Sequence, residues 1–309
     1  MSYGRFELLL LVTVFVTVVS GPDAALAATY RVAQDGSGDF TVLFDAVEAA
    51  ASGDTITIGP GEYTEVRQYV APGGTNFALA RVVISELTII GDGRDVVTLG
   101  PVTPAADLER GPRGIRCSTS GNVRISGVTI RNVSRGVWGN DVWLEVEDSR
   151  FVGCYTGVDG DLSGVMTVRR SEFFDSEDAG VQTVITQGGT GLLVEDCTFV
   201  DNGIGLDSQV PNTFIRKCSF RGGNLGAQVS FGGTGAIENC TFEDIFNIDL
   251  NLADGADIML NDCVFMPSRS GNIVVQGRLT GSQNVLMGGA FATIVVRPRS
   301  SVTFNGNHI

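Results

Sequence analysis

Apolar and polar positions alternate with period two in short runs along the whole chain, and each run enters a turn, as in "VRISG" (123–127) and "LEVED" (144–148). Such alternation marks strands with one buried face. The runs also recur as larger units: "EDSRFVGCYTGVDG" (147–160), "EDCTFVDNGIGLDS" (195–208), "RKCSFRGGNLGAQVS" (216–230) and "ENCTFEDIFNIDLN" (238–251). Aligned on the residue after the turn, the anchors are Ile130, Phe151, Phe173, Phe199, Phe220, Phe242, Phe265, Leu286 and Ile309, spaced by 21, 22, 26, 21, 22, 23, 21 and 23 residues. Two residues before each anchor stand Val128, Ser149, Ser171, Cys197, Cys218, Cys240, Cys263, Asn284 and Asn307. A fixed period of this length is the signature of a solenoid. The regular leucine framework of leucine-rich repeats is missing, and within the coils nothing has helical spacing. Three short strands per 21–26 residues therefore predict an all-β parallel β-helix, its coils stacked at about 4.7–4.9 Å.

The ends of the repeat carry different signals. "TYRVA" (29–33) reads as a first strand, and "FTVLFDAVEAAASGD" (40–54) has apolar residues at helical spacing with Gly53 as a stop. An N-terminal capping helix is expected there, before "TITI" (55–58) opens the first coil. Stretches 66–80 and 100–121 break the repeat and are expected to overhang one face. The chain ends at Ile309, on an anchor position halfway through a coil, which predicts either a fragment of a longer protein or an open coil edge available for self-association. Residues 1–27 read as a signal peptide: Arg5, the apolar run "LLLLVTVFVTVV" (8–19), then small residues at Ala25 and Ala27. That run is short for a membrane span, which needs about 20 residues. A secreted, periplasmic or cell-surface protein is expected, touching a membrane only through this segment, with one β-helix domain over 28–309.

Charge removes several partner classes. Residues 1–27 carry Arg5, Glu7 and Asp23, so the remainder holds 20 basic and 33 acidic residues, a formal charge of −13. A surface of that sign repels nucleic acid and anionic lipid. Six cysteines in a secreted chain suggest disulfides. Four of them, however, fall one per coil on the inward parity of the phenylalanines, and in-register strands hold such residues further apart than the ~3.8 Å Cβ separation of a disulfide. A ladder of buried thiols is expected, with Cys117 and Cys154 lying off it. The only histidine is His308, and neither a Ser–His–Asp set nor a His/Cys metal spacing is present, so no cofactor is expected.

The segment "VAQDGSGDFTVLFDAVEAAASGDTITIGPGEYTE" (32–65) resembles the N-terminal region of pectin methylesterases and is similar to right-handed parallel β-helix proteins of the pectin-lyase-like superfamily. "GEYTE" (61–65) matches the first short motif of those esterases. The family's Gln-Asp-Thr-Leu and Asp-Phe-Ile-Phe-Gly motifs are absent, and "VVRPRS" (295–300) keeps only part of its Gly-Arg-Pro-Trp. The resemblance implies a right-handed coil and a polysaccharide laid along one parallel sheet.

The strand after each anchor is then the candidate face. Its glycine-aligned pieces are "GVWGN" (136–140), "GVDGD" (157–161), "GVQTV" (180–184), "GLDSQ" (205–209), "GAQVS" (226–230) and "NIDLN" (247–251). The middle residue of each should point outward, giving a stripe of Trp138, Asp159, Gln182, Asp207, Gln228 and Asp249. Beside it lie Asn140, Asp161, Gln209 and Asn251. Carboxylates alternating with amides suit ester hydrolysis, with Asp207 as nucleophile or base, Asp249 as its partner, Asp159 in the same catalytic stripe, and Gln182 with Gln228 as oxyanion or substrate donors. Trp138, Asp161, Gln209 and Asn251 are candidate sugar contacts. In a polysaccharide lyase Asp159 and Asp161 would instead hold Ca²⁺. "DLERGPRGIR" (107–116) offers Arg110, Arg113 and Arg116 to an acidic polymer. Pectinesterase-like action on a uronate polymer leads. A glycan-binding or adhesion module without turnover is the rival, because a solenoid's outer face is polar in any case.

Overall fold

Each coil resolves into three strands separated by two corners and a loop, and each strand joins a different parallel sheet. The computed structural model describes residues 26–71, 74–161, 164–184, 191–268, 271–287 and 294–308. The expected leader, apart from Leu26 and Ala27, and the last anchor Ile309 lie outside them. The coil is right-handed. Its sheets have twelve, ten and eleven strands among the described residues. Among these residues no helix is long and apolar enough to cross a membrane.

The anchors form the inner wall of the ten-stranded sheet. Phe151, Phe173, Phe199, Phe220, Phe242 and Phe265 pair in register. Their rings stack at centroid distances of 5.0, 4.9, 4.7, 4.8 and 4.7 Å, nearly parallel from coil to coil. The ring spacing equals the strand spacing, so backbone ladder and aromatic stack reinforce one register. Each ring of this size buries about 150–250 Å², and stacking adds about 0.5–1.5 kcal/mol per pair.

The rings need room on the opposite wall. A Cβ placed on Gly136, Gly157, Gly180, Gly205 or Gly226 would lie 2.5–2.9 Å from the Cδ1 of Phe151, Phe173, Phe199, Phe220 or Phe242 respectively. The glycines of the candidate strands are thus a packing requirement of the phenylalanine stack.

The corner before each anchor is made by one residue in the left-handed region: Asp148, Arg170, Asp196, Lys217, Asn239, Asp262 and Gln283, with φ between 47° and 58°. Behind it the expected thiol ladder is present, and all six cysteines are free and buried. Cys197 Sγ donates to Glu195 O at 3.3 Å, Cys218 Sγ to Arg216 O at 3.2 Å, and Cys240 and Cys263 repeat the pattern. Burial pushes the Cys218 thiol well above its usual range. Asn284 continues the ladder with amide bonds to Leu260 O at 2.7 Å and Asn307 Oδ1 at 2.8 Å. Cys117 and Cys154, off the ladder, are also buried, and burial pushes both up to about 12.

On the outside of the twelve-stranded sheet, Glu147, Arg169, Glu195, Arg216 and Glu238 occupy one column in register. Signs alternate rung by rung, with Arg169 3.4 Å from Glu147 and 3.5 Å from Glu195, and Arg216 3.0 Å from Glu238. A slip by one coil would set like charges opposite each other.

Three expectations change. The helix is shorter than 40–54, spanning Leu43–Ala49, with Leu43, Ala46 and Val47 in the core. Phe40 stays extended to bridge Val32, and Asp54 already begins a strand. The stretch 66–80, expected to overhang, is instead an antiparallel pair, Arg67–Ala71 with Gly74–Val82, joined to the eleven-stranded sheet. Arg113–Ser118 likewise is a strand of that sheet rather than part of an exposed loop.

Gly205→Ala tests the glycine requirement. The added methyl would meet Phe220 Cδ1 at 2.7 Å and the Gly226 carbonyl, a backbone atom that cannot rotate away. The substitution is expected to lower stability by about 1–3 kcal/mol or more, read as a fall in the denaturant midpoint at unchanged m-value.

Candidate functional site

The outer surface of the eleven-stranded sheet is built by register. Arg81, Arg116, Trp138, Asp159, Gln182, Asp207, Gln228 and Asn251 are Cα partners in sequence, one per coil. Two valines, Val274 and Val295, continue the column and end its polar character. Trp138, Asp159, Gln182, Asp207 and Gln228 are therefore brought onto one line as expected. Beside them run Ser118, Asn140 and Asp161.

Asp249 is not on this line. Ile248 pairs with Leu225 and Leu250 with Ala227, which puts Asn251 beside Gln228 and Asp249 in the glycine column, 0% exposed. "NIDLN" has no glycine to align, and its apolar pair sets the register instead. Asn251, expected one step to the side, takes the stripe position.

The N-terminal third of the face is cationic and aromatic. The guanidinium groups of Arg116, Arg113 and Arg135 lie 4.5, 4.7 and 5.5 Å from the Trp138 ring centroid. Tyr69, from the hairpin, accepts hydrogen bonds at 3.1 Å from both Arg113 Nη1 and Arg116 Nη1. Its ring also faces Arg81 and Arg116 at 5.4 and 5.5 Å. Asn76 accepts from Arg113, and Ser118 Oγ from Arg116 Nε at 3.0 Å. Among the described residues none of Arg81, Arg113 and Arg116 forms an ion pair with a carboxylate. Arg110, grouped with them by sequence, is apart from them and pairs with Asp107.

The middle is a carboxylate pinned by a guanidinium: Arg135 Nε binds Asp159 Oδ2. Asp159 is only 4% exposed, and burial pushes its carboxyl up, outweighing the pull of Arg135. Asp161 accepts a long bond of 3.4 Å from Asn140 Nδ2. Among the described residues no group of three or more His, Cys, Asp or Glu gathers where it could hold a metal ion. The Asp159 side of the calcium pair considered for a lyase is already engaged by Arg135.

The last third is a hydrogen-bonded amide–carboxylate ladder. Asp207, also 4% exposed, accepts from Gln228 Nε2 at 3.1 Å and from Gln209 Nε2 at 3.3 Å, and Gln182 bonds it as well. Asn251 Nδ2 donates to Gln228 Oε1 at 2.8 Å. Burial pushes the Asp207 carboxyl up despite these donors. Half-buried Asp178, one coil earlier, is also pushed up by burial, and its carboxylate feels the charge of Asp207. Asp178 was missed by the stripe pattern because it sits at the corner, two residues before Gly180.

The family model described as "Right handed beta helix region" matches residues 163–309. No curated protein matches the chain by sequence. Among solved structures, a mutant of the periplasmic alginate epimerase AlgG has a TM-score of 0.61 at 10% identity, covering 84% of this chain and 75% of that one. The PL6 family alginate lyase AlyGC has a TM-score of 0.52 at 15% identity, over 92% of this chain and 40% of that one. The catalytic domain of a GH87 α-1,3-glucanase in complex with tetrasaccharides has a TM-score of 0.52 at 11% identity, over 82% of this chain. This chain spans 64% of that glucanase domain. Resemblance at such identities is one of fold. The chain has the right-handed parallel β-helix fold.

Proposed function

We propose that the protein is secreted and acts on an acidic polysaccharide held along the eleven-stranded sheet, hydrolysing a uronate ester. The observation that carries this reading is the cluster of Arg81, Arg113 and Arg116 around Trp138 and Tyr69, without carboxylate partners among the described residues. A chain of formal charge −14 has carboxylates in excess, yet surrounds these guanidiniums with two aromatic rings and neutral acceptors among the described residues. Arginine recognises carboxylates bidentately, and an indole beside it offers a sugar ring an apolar platform. The leader-like N-terminus and the polysaccharide enzymes among the structural neighbours support the same reading.

In this proposal Asp207 attacks the ester carbonyl, and Asp178, whose carboxyl burial pushes up, donates the proton to the leaving alcohol. Gln182 and Gln228 supply N–H groups to the oxyanion. Water then releases the acyl group from Asp207. Asp249, enclosed in the wall, takes no part.

The second reading is a binding module without turnover. It is favoured by Asp207 being covered and occupied by Gln182, Gln209 and Gln228. Acid release at constant pH on methyl-esterified pectin separates the two. Release by the wild type that falls by about 10²–10⁴-fold in Asp207→Asn establishes the esterase. Binding of the polymer with no release assigns the module. Arg113→Ala and Arg116→Ala are expected to weaken polyuronate binding in either case and to flatten its salt dependence.

Stability gives an independent check on Asp207. Its folded-state pKa is raised, so the folded state holds this proton more tightly than the unfolded chain. Stability is greatest below the ordinary Asp value and is lost as pH rises through the folded pKa. Asp207→Asn is therefore expected to raise Tm at pH 7, with the gap closing as the pH falls through the raised folded value and gone below about 3.8. An unchanged or lowered Tm at pH 7 would contradict the assigned direction.

A further inference from the structure

A concave surface lies on a different sheet. The outside of the twelve-stranded sheet carries a groove of about 620 Å³ lined by Asp54, Glu86, Asn122, Arg124, Trp143 and Glu145, among others. Glu86, Asn122 and Trp143 are register partners on successive coils. Trp143 is 56% exposed and makes no aromatic or cation–π contact among the described residues. Its position is nonetheless built. A Cβ on Gly164, from the next coil, would lie 2.6 Å from Trp143 Cδ1 and 2.8 Å from Nε1, so the glycine opens the space in which the indole edge rests. Glu86 and Asn122 are exposed, and neither side chain has a hydrogen-bond partner among the described residues.

The electrostatics of this groove oppose those of the arginine face. Arg124 is the one cation lining the groove among the described residues and is already paired, 2.7 Å from Glu147 and 3.7 Å from Glu145. Asp54 is occupied by the backbone N–H groups of Ala28 and Ala51, both at 2.7 Å. Glu86 thus adds a free acceptor to a lining with an excess of carboxylates. An acidic sugar would be repelled here. A neutral pyranose would set its C–H face on the indole and give its hydroxyls to Glu86 and Asn122. Three successive rungs span about 9–10 Å, the scale of a short oligosaccharide.

We propose that this groove is a second carbohydrate site, selective for neutral oligosaccharides and separate from the arginine-lined face. It draws on no residue of that face, so either site can fail without the other. The chain has two tryptophans, so Trp138→Phe leaves Trp143 as the sole indole reporter. Titration of that variant with cellohexaose, maltohexaose and xylohexaose is expected to give a saturable emission shift with at least one, and none with a galacturonate hexamer. Calorimetry on the otherwise wild-type chain should then show at least tenfold weaker binding of the same neutral hexamer in Trp143→Ala. Gly164→Ala, which displaces the indole edge, should weaken it too at unchanged circular dichroism. Three results would overturn the proposal. The first is silence toward all three neutral hexamers, and the second an equal response to the galacturonate hexamer. The third is a wild-type dimer that Trp143→Ala converts to monomer, which would assign the groove to a second copy of the chain.

Discussion

Everything in this molecule follows from one constraint, that successive coils stack in register at the parallel-strand spacing. A phenylalanine ring fits within that spacing, and the six rings from Phe151 to Phe265 stack at 4.7–5.0 Å. The stack forces glycine onto the facing wall, because any Cβ there meets a ring or a carbonyl. Those same glycines precede the outward residues of the eleven-stranded sheet. The packing of the core thus decides, coil by coil, which side chain is presented to solvent. Alternating charge on the twelve-stranded sheet guards the register from outside, where Glu147 collects Arg124, Arg169 and Arg170.

The register explains how much was legible in the sequence. Anchors, thiol ladder and glycine-led strands repeat, so stacking places five of the six stripe residues without knowledge of any contact. Asp249 escaped because its coil lacks the glycine, and only backbone pairing reveals the slip to Asn251. The arginine cluster was half visible: "GIR" (114–116) carries the same glycine–aliphatic–outward pattern as "GVW" (136–138), but stood inside a stretch that reads as a loop. Tyr69 could not be found by periodicity, since the hairpin that carries it belongs to no repeat and joins the sheet antiparallel. Asp178 is a corner residue, where period-two reasoning ends.

Function grows from the columns in the same way. A column of identical geometry and changing chemistry suits a polymer, which offers the same group at regular intervals. On the eleven-stranded sheet the chemistry passes from guanidinium and indole, through a pinned carboxylate, to a carboxylate among amides. The charge on this face is segregated rather than alternated. Structural economy would favour alternation, as the twelve-stranded sheet demonstrates in the same protein. Three guanidiniums without carboxylate partners among the described residues and two buried carboxyls with raised pKa both work against stability, and such arrangements concentrate where ligands bind.

The most direct test of the central claim is a crystal structure of the protein grown with a galacturonate hexamer. Sugar density along the line from Arg116 to Asn251, with a uronate carboxylate on Arg113 or Arg116 and a ring against Trp138, is the expected result. Density for the hexamer on another sheet, with the Arg81–Arg113–Arg116 cluster left as it stands, would contradict it.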